Sequence, residues 1–494
     1  MAEVFARGAR LAALLLVSIA LAAPGHASPL FDLLGAAAGP HPFTAGVMGR
    51  GAELTWANPA RLAWATPGVE LGFIVVAPDL RVDLRTRPSD VDVPATIYDL
   101  RELLPDGSTR RLEQRPLPTG RLRSPRSDSH ESDVLTYLWL GFVQPIVPGY
   151  LTLGFSALFP SATLQSQDAF YSDERAQYFS NRLSFELYGD RLQTQSLSVA
   201  LGARPVRWLG LGVGLALTTS SVAQTEVFIG DSAYQETAMV NSRIRVSAGL
   251  VPHFGLTAEP LPELQFSLTL HLPAANPVKG QSDVQFWSYP YPEGETSVVQ
   301  RFAFSQGSEP LRTALGVAWR GVPAAPGELA FGVGASLRWA HWSDYRDRHD
   351  EEPTLTWSNT FDLAASGELA WHEHRLALGV SWVPSPVPDQ RGRSSYVDND
   401  RIGASLGWRA ELPVADATLA AGLTLQLHRL LPRSVMKDPG ASDPVRDELP
   451  AAIDIRSGEL APESEGLQTN NPGYPGYSSS GWLFAMGLSL ALSL

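Results

Sequence analysis

The chain has 494 residues, no cysteine and a formal net charge of −13 at neutral pH. The lack of cysteine excludes disulfides, thiolate metal sites and cysteine nucleophiles. An acidic chain without basic runs also argues against nucleic-acid binding. The mean hydropathy of −0.05 fits a soluble protein or a membrane barrel, because only about half of each barrel strand is apolar.

The N-terminus has the pattern of a secretory leader. Two arginines precede an apolar run over residues 11–23, and the small residues that follow predict cleavage after Ala27. This run is too short to span a bilayer as a helix. We therefore predict a signal peptide over residues 1–27 and a secreted or outer-membrane product of a Gram-negative cell.

Residues 28–68 lack the alternation of a strand, since glycines interrupt runs of alanine. Asn58 suits the N-cap of a short helix, Pro59 suits its first turn, and Ala60 continues it. Because this element directly precedes the first strand, it is placed to fold into a barrel. We predict an N-terminal hatch over residues 28–68 and a barrel over residues 69–494.

Fourteen segments alternate between apolar and polar residues with the period of a β-strand. They span residues 69–77, 135–146, 150–159, 195–204, 207–220, 241–258, 263–272, 311–320, 328–341, 357–371, 374–383, 400–411, 415–429 and 481–494. The connections between them are alternately long and short from residue 78 onward. This arrangement predicts an all-β fold, a transmembrane antiparallel β-barrel of about 14 strands with a small N-terminal helical hatch.

In outer-membrane barrels the outer loops are long and the periplasmic turns are short. The first connection here is long and the strand count is even, so both termini are expected in the periplasm. A soluble sandwich or propeller is the alternative fold, but no repeat of propeller length is visible.

The last segment shows the two faces best. Even positions from Trp482 to Leu494 are large and apolar, whereas most odd positions are small or polar. In a membrane barrel the even positions would contact lipid and the odd positions would line the lumen. Leu494 departs from the aromatic residue that ends many such barrels and assists their assembly.

Tryptophans cluster near the predicted strand ends, which favours an interfacial belt, with ordinary core packing as the alternative. They are Trp139, Trp208, Trp319, Trp339, Trp342, Trp357, Trp371, Trp382, Trp408 and Trp482.

Three stretches resemble the FadL/TodX (OmpP1) family of outer-membrane transporters. The first runs from Gly49 through Asn58-Pro59-Ala60-Arg61-Leu62 into the first strand, the second covers residues 338–345, and the third covers residues 384–408. The resemblance implies a fourteen-stranded barrel closed by a hatch of short helices. It also implies passive transport of long-chain fatty acids or other hydrophobic molecules.

The sequence thus predicts an outer-membrane channel for passive uptake of hydrophobic molecules. Long-chain fatty acids are the first candidate solutes, and hydrocarbons and aromatic compounds are the other candidates. A general porin or structural barrel and an outer-membrane lipid hydrolase remain alternatives. We predict no enzymatic activity, no cofactor and no metal site. The expected surroundings are outer-membrane lipid, lipopolysaccharide and the barrel-assembly machinery, with the protein as a monomer.

Candidate ligand contacts are cations on the lumen-facing positions and residues beside the mature N-terminus. A carboxylate on the solute would need a cation, and the alternation places such residues in the lumen; they are Arg243, Arg245, Arg338, Arg401, Arg409, His253 and His271. The alternative is an ion-pair network in water with Asp362 or Glu368. Leu30 and Phe31 are candidates to insert into the pocket, with a frayed terminus as the alternative.

Overall fold

The computed structural model describes residues 29–85, 101–103, 109–111, 126–130, 134–161, 194–220, 238–246, 249–286, 296–321, 328–346, 352–446, 471 and 473–493. The predicted signal peptide, residues 1–27, lies outside this part of the chain, as does Leu494. Within these ranges, no helix has the length and apolarity that a membrane span requires.

Fourteen strands form one closed antiparallel barrel. The strands are β1 (Gly68–Leu84), β2 (Leu135–Val147), β3 (Leu151–Pro160), β4 (Thr194–Val206), β5 (Leu209–Ser220), β6 (Gly249–Leu261), β7 (Leu264–His271), β8 (Arg312–Arg320), β9 (Ala330–Ala340), β10 (Thr360–Trp371), β11 (His374–Val383), β12 (Arg401–Val414), β13 (Ala417–Met436) and β14 (Gly476–Ser493). Each pairs with its neighbours in chain order, and β14 pairs with β1 from Leu492↔Val69 to Tyr477↔Leu84. The predicted barrel and strand count are confirmed.

The two faces of the strands lie as the alternation predicts. In β14, Phe484 and Leu490 are 50% and 54% exposed, whereas Leu483 is 2% exposed. In β7, Phe266 is exposed and Ser267 is buried. A barrel whose outer wall is a continuous row of exposed leucine, valine and phenylalanine side chains is a transmembrane barrel, because that surface requires lipid.

Some predicted element boundaries are wrong. The predicted strand 241–258 is two strands, Ala238–Val246 and β6, and only β6 belongs to the barrel sheet. The predicted connection 273–310 contains two further strands, Ala274–Phe286 and Thr296–Glu309. Proline, glycine and serine in these stretches obscure the alternation that marks the barrel strands.

These three extra strands form a separate antiparallel sheet, here called the accessory sheet. The strand Ala274–Phe286 lies in its centre, between Ala238–Val246 and Thr296–Glu309. Three shorter strands occur in the first long connection. Arg101–Leu103 pairs with Thr109–Arg111, and Arg126–His130 pairs with β1.

The predicted interfacial belt is found for only some of the ten tryptophans. Trp208 and Trp319 are exposed on the barrel exterior, as an interfacial position requires. Trp139, Trp342 and Trp357 are buried, so the belt interpretation is wrong for them. Trp342 and Trp357 instead pack in an aromatic cluster with Tyr345.

The N-terminal segment fills the barrel as a plug, as predicted. It contains α1 (Pro29–Leu34), α2 (Ala45–Met48), α3 (Leu54–Ala57) and a 3-10 helix (Pro59–Trp64). Helix α2 contacts β7, β8 and β9, while α3 and the 3-10 helix contact the wall from β3 to β6. The main hydrophobic core joins plug residues such as Leu34 and Leu54 to wall residues such as Trp139.

Candidate functional site

The predicted hatch motif lies directly against the wall of the barrel. Asn58 is fully buried, and its Oδ1 accepts a hydrogen bond from the backbone N–H of Ala60 at 3.1 Å, which caps the 3-10 helix. Its Nδ2 donates to the carbonyl of Gly46 at 2.9 Å and to Thr257 Oγ1 at 3.1 Å. Asn58 therefore caps its own helix, joins two parts of the plug and fixes both to β6.

Glycines in the wall leave the space for this motif. A Cβ at Gly212 would lie 2.1 Å from Ala60 N, and one at Gly255 would lie 2.3 Å from Asn58 Oδ1. The inward glycines of β5 are the small partners of its alternating leucines. Their lack of a side chain allows the plug backbone to lie directly on the sheet.

Asn58→Asp is expected to loosen the plug even though it keeps the capping oxygen. The substitution removes both Nδ2 donors and places a carboxylate where the side chain is fully buried. We expect a loss of roughly 2–4 kcal/mol in plug docking. Protease sensitivity of the plug in purified, folded protein measures this, with Asn359→Asp on an exposed connection as the matched control. Equal sensitivity in both variants would contradict this role of Asn58.

Charged groups hold the plug at the end of the barrel where the connections are short. Glu368 of β10 lies 2.8 Å from His41 Nε2, 3.0 Å from an Arg50 guanidinium nitrogen and 3.5 Å from Arg375. On another side, Arg320 donates to the backbone carbonyls of α2. These contacts fix the plug to β8 and β10 by charge-assisted hydrogen bonds, and Arg375 of β11 adds a further positive charge beside Glu368.

A third contact joins the plug to β6. Arg61 donates to the carbonyl of Gly49 at 3.0 Å and lies 3.8 Å from Glu259. Burial lowers the pKa of Arg61 to about 9, and the neighbouring charge of Arg320 acts in the same direction. Arg61 remains protonated at neutral pH, so the ion pair is intact there.

A cavity of about 160 Å³ lies between the plug and the wall from β7 to β12. Its plug side is mainly apolar and includes Leu33, Phe43, Val47 and Trp56. Its wall side includes several small residues, among them Ser267, Gly316, Ser336, Ala364 and Ser381. Small wall residues opposite large apolar plug residues leave a compact, mostly apolar space.

The cavity is charged where β7 ends and β8 begins. The residues there are His271, Arg312, Arg338, Asp362 and Arg401, while Glu53 lines the cavity from the plug. Arg338 forms an ion pair with Asp362 at 2.6 Å, and Arg312 forms one with Glu309. The imidazole of His271 packs on the edge of Trp56, with their ring centroids 4.3 Å apart. An apolar space with a few polar groups at one end is the usual form of a small-molecule site.

Only some of the predicted site residues line the cavity. Arg338 lines the cavity and pairs with Asp362, as in the ion-pair alternative. Arg409 lies outside the lining, and its Nε donates to Glu411 at 3.2 Å. Leu30 is buried in the core between plug and wall.

The remaining predicted contacts have other placements. Arg243 and Arg245 lie on an edge strand of the accessory sheet, and their side chains are outside the described part of the structure, as is the side chain of Phe31. Their role as ligand contacts stays a prediction.

Sequence reasoning missed the plug residues Phe43 and Trp56 and the wall residue Arg312. No periodic pattern marks residues 35–57, because the plug consists of short helices and turns. The available signal was the pair of large aromatic residues in a segment of small ones. That pattern suggests a packing role but cannot say which strands the aromatics meet.

The fold and the cavity define a class of protein: a transmembrane barrel closed by its own N-terminal segment, with a small apolar site beside the plug. No protein-family model matches the sequence, and no curated protein matches it. The solved structure of a FadL homologue from Pseudomonas aeruginosa is similar, with a TM-score of 0.52 and 12% identity over 92% of this chain and 97% of that chain.

Two further structures match with lower scores. The toluene transporter TodX of P. putida has a TM-score of 0.44 and 12% identity, covering 94% of this chain and 99% of that one. The monoaromatic hydrocarbon channel CymD has a TM-score of 0.43 and 11% identity, with coverage of 95% and 98%. The similarity to the FadL homologue shows that the chain has the same type of fold, which confirms the resemblance at the level of the fold.

Proposed function

We propose that this protein is a passive outer-membrane channel for hydrophobic small molecules. The observation that carries the proposal is the apolar cavity between the plug and the wall of a lipid-facing barrel. The names of the similar structures, a FadL homologue and two hydrocarbon transport proteins, agree with this function. A secretory leader cleaved after Ala27, periplasmic termini and a monomeric state belong to the same proposal.

The mechanism follows from burial and from the plug. A hydrophobic solute binds because each buried methylene contributes about 0.8 kcal/mol. The plug then has to move, since it fills the lumen beside the cavity. Movement is downhill and requires only that the cell consumes the solute on the inner side. Lipopolysaccharide and outer-membrane lipid form the barrier that the barrel bypasses.

The cavity size bears on the choice of solute. A dry protein cavity of about 150 Å³ accepts one benzene molecule. The cavity here is about 160 Å³, so with the plug in place it matches a single ring or a short chain. A long-chain fatty acid, the finer sequence prediction, requires the plug to move before it is fully buried.

The two alternatives have less support. A general porin needs an open lumen, whereas residues 29–64 pack inside this barrel. A lipid hydrolase needs a serine and histidine pair that faces lipid. His253 and His428 are both buried inside the barrel, and His253 Nε2 lies 2.7 Å from the carbonyl of Thr55.

Filling the cavity tests the proposal. Ala364 lines the cavity, while the next residue, Ala365, lies on the outer face of the same strand. Ala364→Phe is expected to weaken toluene binding at least tenfold, and Ala365→Phe is expected to leave it unchanged. Isothermal titration of the purified barrel with toluene and with palmitate measures both variants.

Three outcomes bear on this test. Binding of toluene alone favours a ring-sized solute, and binding of palmitate supports the finer sequence prediction. The proposed function is overturned if the wild-type protein binds neither compound while passing small ions freely.

A further inference from the structure

The inner wall from β7 to β12 carries a row of small residues in which every second one is a serine, here called the serine row. The register pairs its members directly across the six strands, in the order Ser267, Gly316, Ser336, Ala364, Ser381 and Gly403. Directly paired residues share a face, and all of these except Gly403 line the cavity. Thr269 lies two residues beyond Ser267 on the same face of β7 and also lines the cavity. The wall therefore presents hydroxyl groups to a space whose plug side is mainly apolar.

Two of these hydroxyl groups are buried without a hydrogen bond. Ser267 is 7% exposed and Thr269 is 5% exposed. Within the part of the chain that the structure describes, neither hydroxyl has a hydrogen-bond partner. Ser336 differs, since its Oγ donates to the carbonyl of Phe43 at 3.4 Å. Because buried polar groups are nearly always hydrogen-bonded, a polar group inside the cavity is the partner that Ser267 and Thr269 lack.

The plug side chains that contact the serine row cannot supply this partner. A Cβ at Gly316 would lie 3.0 Å from the Val47 Cβ, and one at Gly403 would lie 3.1 Å from the Phe43 Cζ. Both contacts are made by hydrocarbon groups, which neither donate nor accept hydrogen bonds. The hydrogen-bonding capacity of Ser267 and Thr269 is therefore left for a solute in the cavity.

The arginine and carboxylate charges around the cavity match in number. The arginines of the lining are Arg312, Arg338 and Arg401, and the carboxylates are Glu53 and Asp362 of the lining together with Glu309. Glu309 pairs with Arg312, and Asp362 lies 2.6 Å from Arg338. A solute with a carboxylate would add an unmatched negative charge to this buried space, which is costly. A neutral solute adds none.

We propose that the closed cavity selects neutral, ring-sized molecules that carry a hydroxyl group, such as phenols and benzylic alcohols, and that Ser267 and Thr269 bind this hydroxyl. The inference rests on the proposed function and names the class of its solute. A hydroxyl group can donate one hydrogen bond and accept others, so it satisfies the wall residues, while the ring packs against the apolar side of the plug. A hydrocarbon of the same size leaves both wall hydroxyls unpaired.

Phenol and toluene test this selection, because the hydroxyl of one takes the place of the methyl of the other. Ser267→Ala/Thr269→Val removes both wall hydroxyls with little change in shape. We expect this variant to bind phenol about tenfold more weakly, since its hydrogen bonds to the solute are lost. We expect it to bind toluene about threefold more tightly, because the hydroxyls that toluene leaves unpaired are gone. Isothermal titration of the full-length mature protein measures both affinities.

A matched control makes the same change elsewhere on the inner wall. Thr152 of β3 and Ser198 of β4 are buried, and neither lines the cavity. Ser198→Ala/Thr152→Val is therefore expected to leave the affinities for phenol and toluene unchanged. Binding of toluene by the Ser267→Ala/Thr269→Val protein also shows that this variant is folded. Benzoate provides the charged solute, and we expect the wild-type protein to bind it at least tenfold more weakly than phenol.

The outcomes separate this selection from the function on which it rests. If Ser267→Ala/Thr269→Val changes the affinities for phenol and toluene equally, or changes neither, the hydroxyls do not select the solute and the channel function stands. The selection is also overturned, again without loss of the channel function, if the wild-type protein binds toluene but not phenol, or benzoate more tightly than phenol. If the wild-type protein binds none of the three compounds and passes small ions freely, the proposed function itself fails.

Discussion

Gly212→Ala is expected to unseat the plug and to make the closed barrel leak ions. A Cβ at Gly212 would lie 2.1 Å from Ala60 N and 2.2 Å from Pro59 C. Both are backbone atoms in a 3-10 helix, so rotation of a side chain cannot relieve the overlap. Overpacking of this kind costs about 1–3 kcal/mol. That cost corresponds to an increase of roughly 5- to 150-fold in the population of undocked plug.

Single-channel conductance in planar bilayers measures this leak. Gly332→Ala is the matched control, because its Cβ would lie on the same inner wall, 3.5 Å from the nearest atom, Met48 Cε. Deletion of residues 28–60 gives the conductance of the unplugged barrel. A Gly212→Ala protein as tight as the Gly332→Ala protein would mean that the glycine does not set the position of the plug.

Glu368→Gln is expected to release the other side of the plug. The carboxylate is 5% exposed and lies within 3.5 Å of three basic groups, those of His41, Arg50 and Arg375. Glutamine keeps the size of the side chain and removes its charge, which leaves the cations without their shared partner. Breaking such a buried pair costs about 3–5 kcal/mol. Partial exposure of Arg50 places the expected loss at the lower end of this range.

Conductance and protease sensitivity of the plug report this release, and both are expected to increase. Asp344→Asn neutralises an exposed carboxylate that contacts His341 and is expected to change neither, because exposed polar contacts of this kind contribute little. If the variant keeps wild-type conductance, the plug is held by its apolar core and by Asn58 rather than by this charged cluster.

The barrel could be predicted from the sequence because its signal is local. Strand alternation has a period of two residues, so β14 shows its lipid face from Trp482 onward without reference to any partner. The same holds for the cap at Asn58, where Oδ1 bonds to a backbone group two residues away. Where turn residues interrupt the alternation, as in residues 273–310, two strands of the accessory sheet were missed.

The candidate site could not be predicted because its residues are distant in sequence. Glu368 and His41 meet across 327 positions, and no pattern in either neighbourhood names the other. Phe43 and Trp56 line the cavity only because the plug is folded against β7 to β12. Among the predicted arginines on barrel strands, Arg338 and Arg401 line the cavity, whereas Arg409 does not. The position of an arginine along the barrel axis, and not the face of the strand on which it lies, decides whether it lines the cavity.

By itself, the sequence determined that the chain forms a barrel, which face of each strand contacts lipid, and where the plug helix is capped. Each of these follows from interactions between residues close in the chain. Only the tertiary structure decided where the plug packs on the wall glycines, the charged cluster around Glu368, the cavity and the strand pairing of the accessory sheet. The physical reason is that these features depend on strand register and on close packing between segments hundreds of residues apart, neither of which is encoded in local alternation.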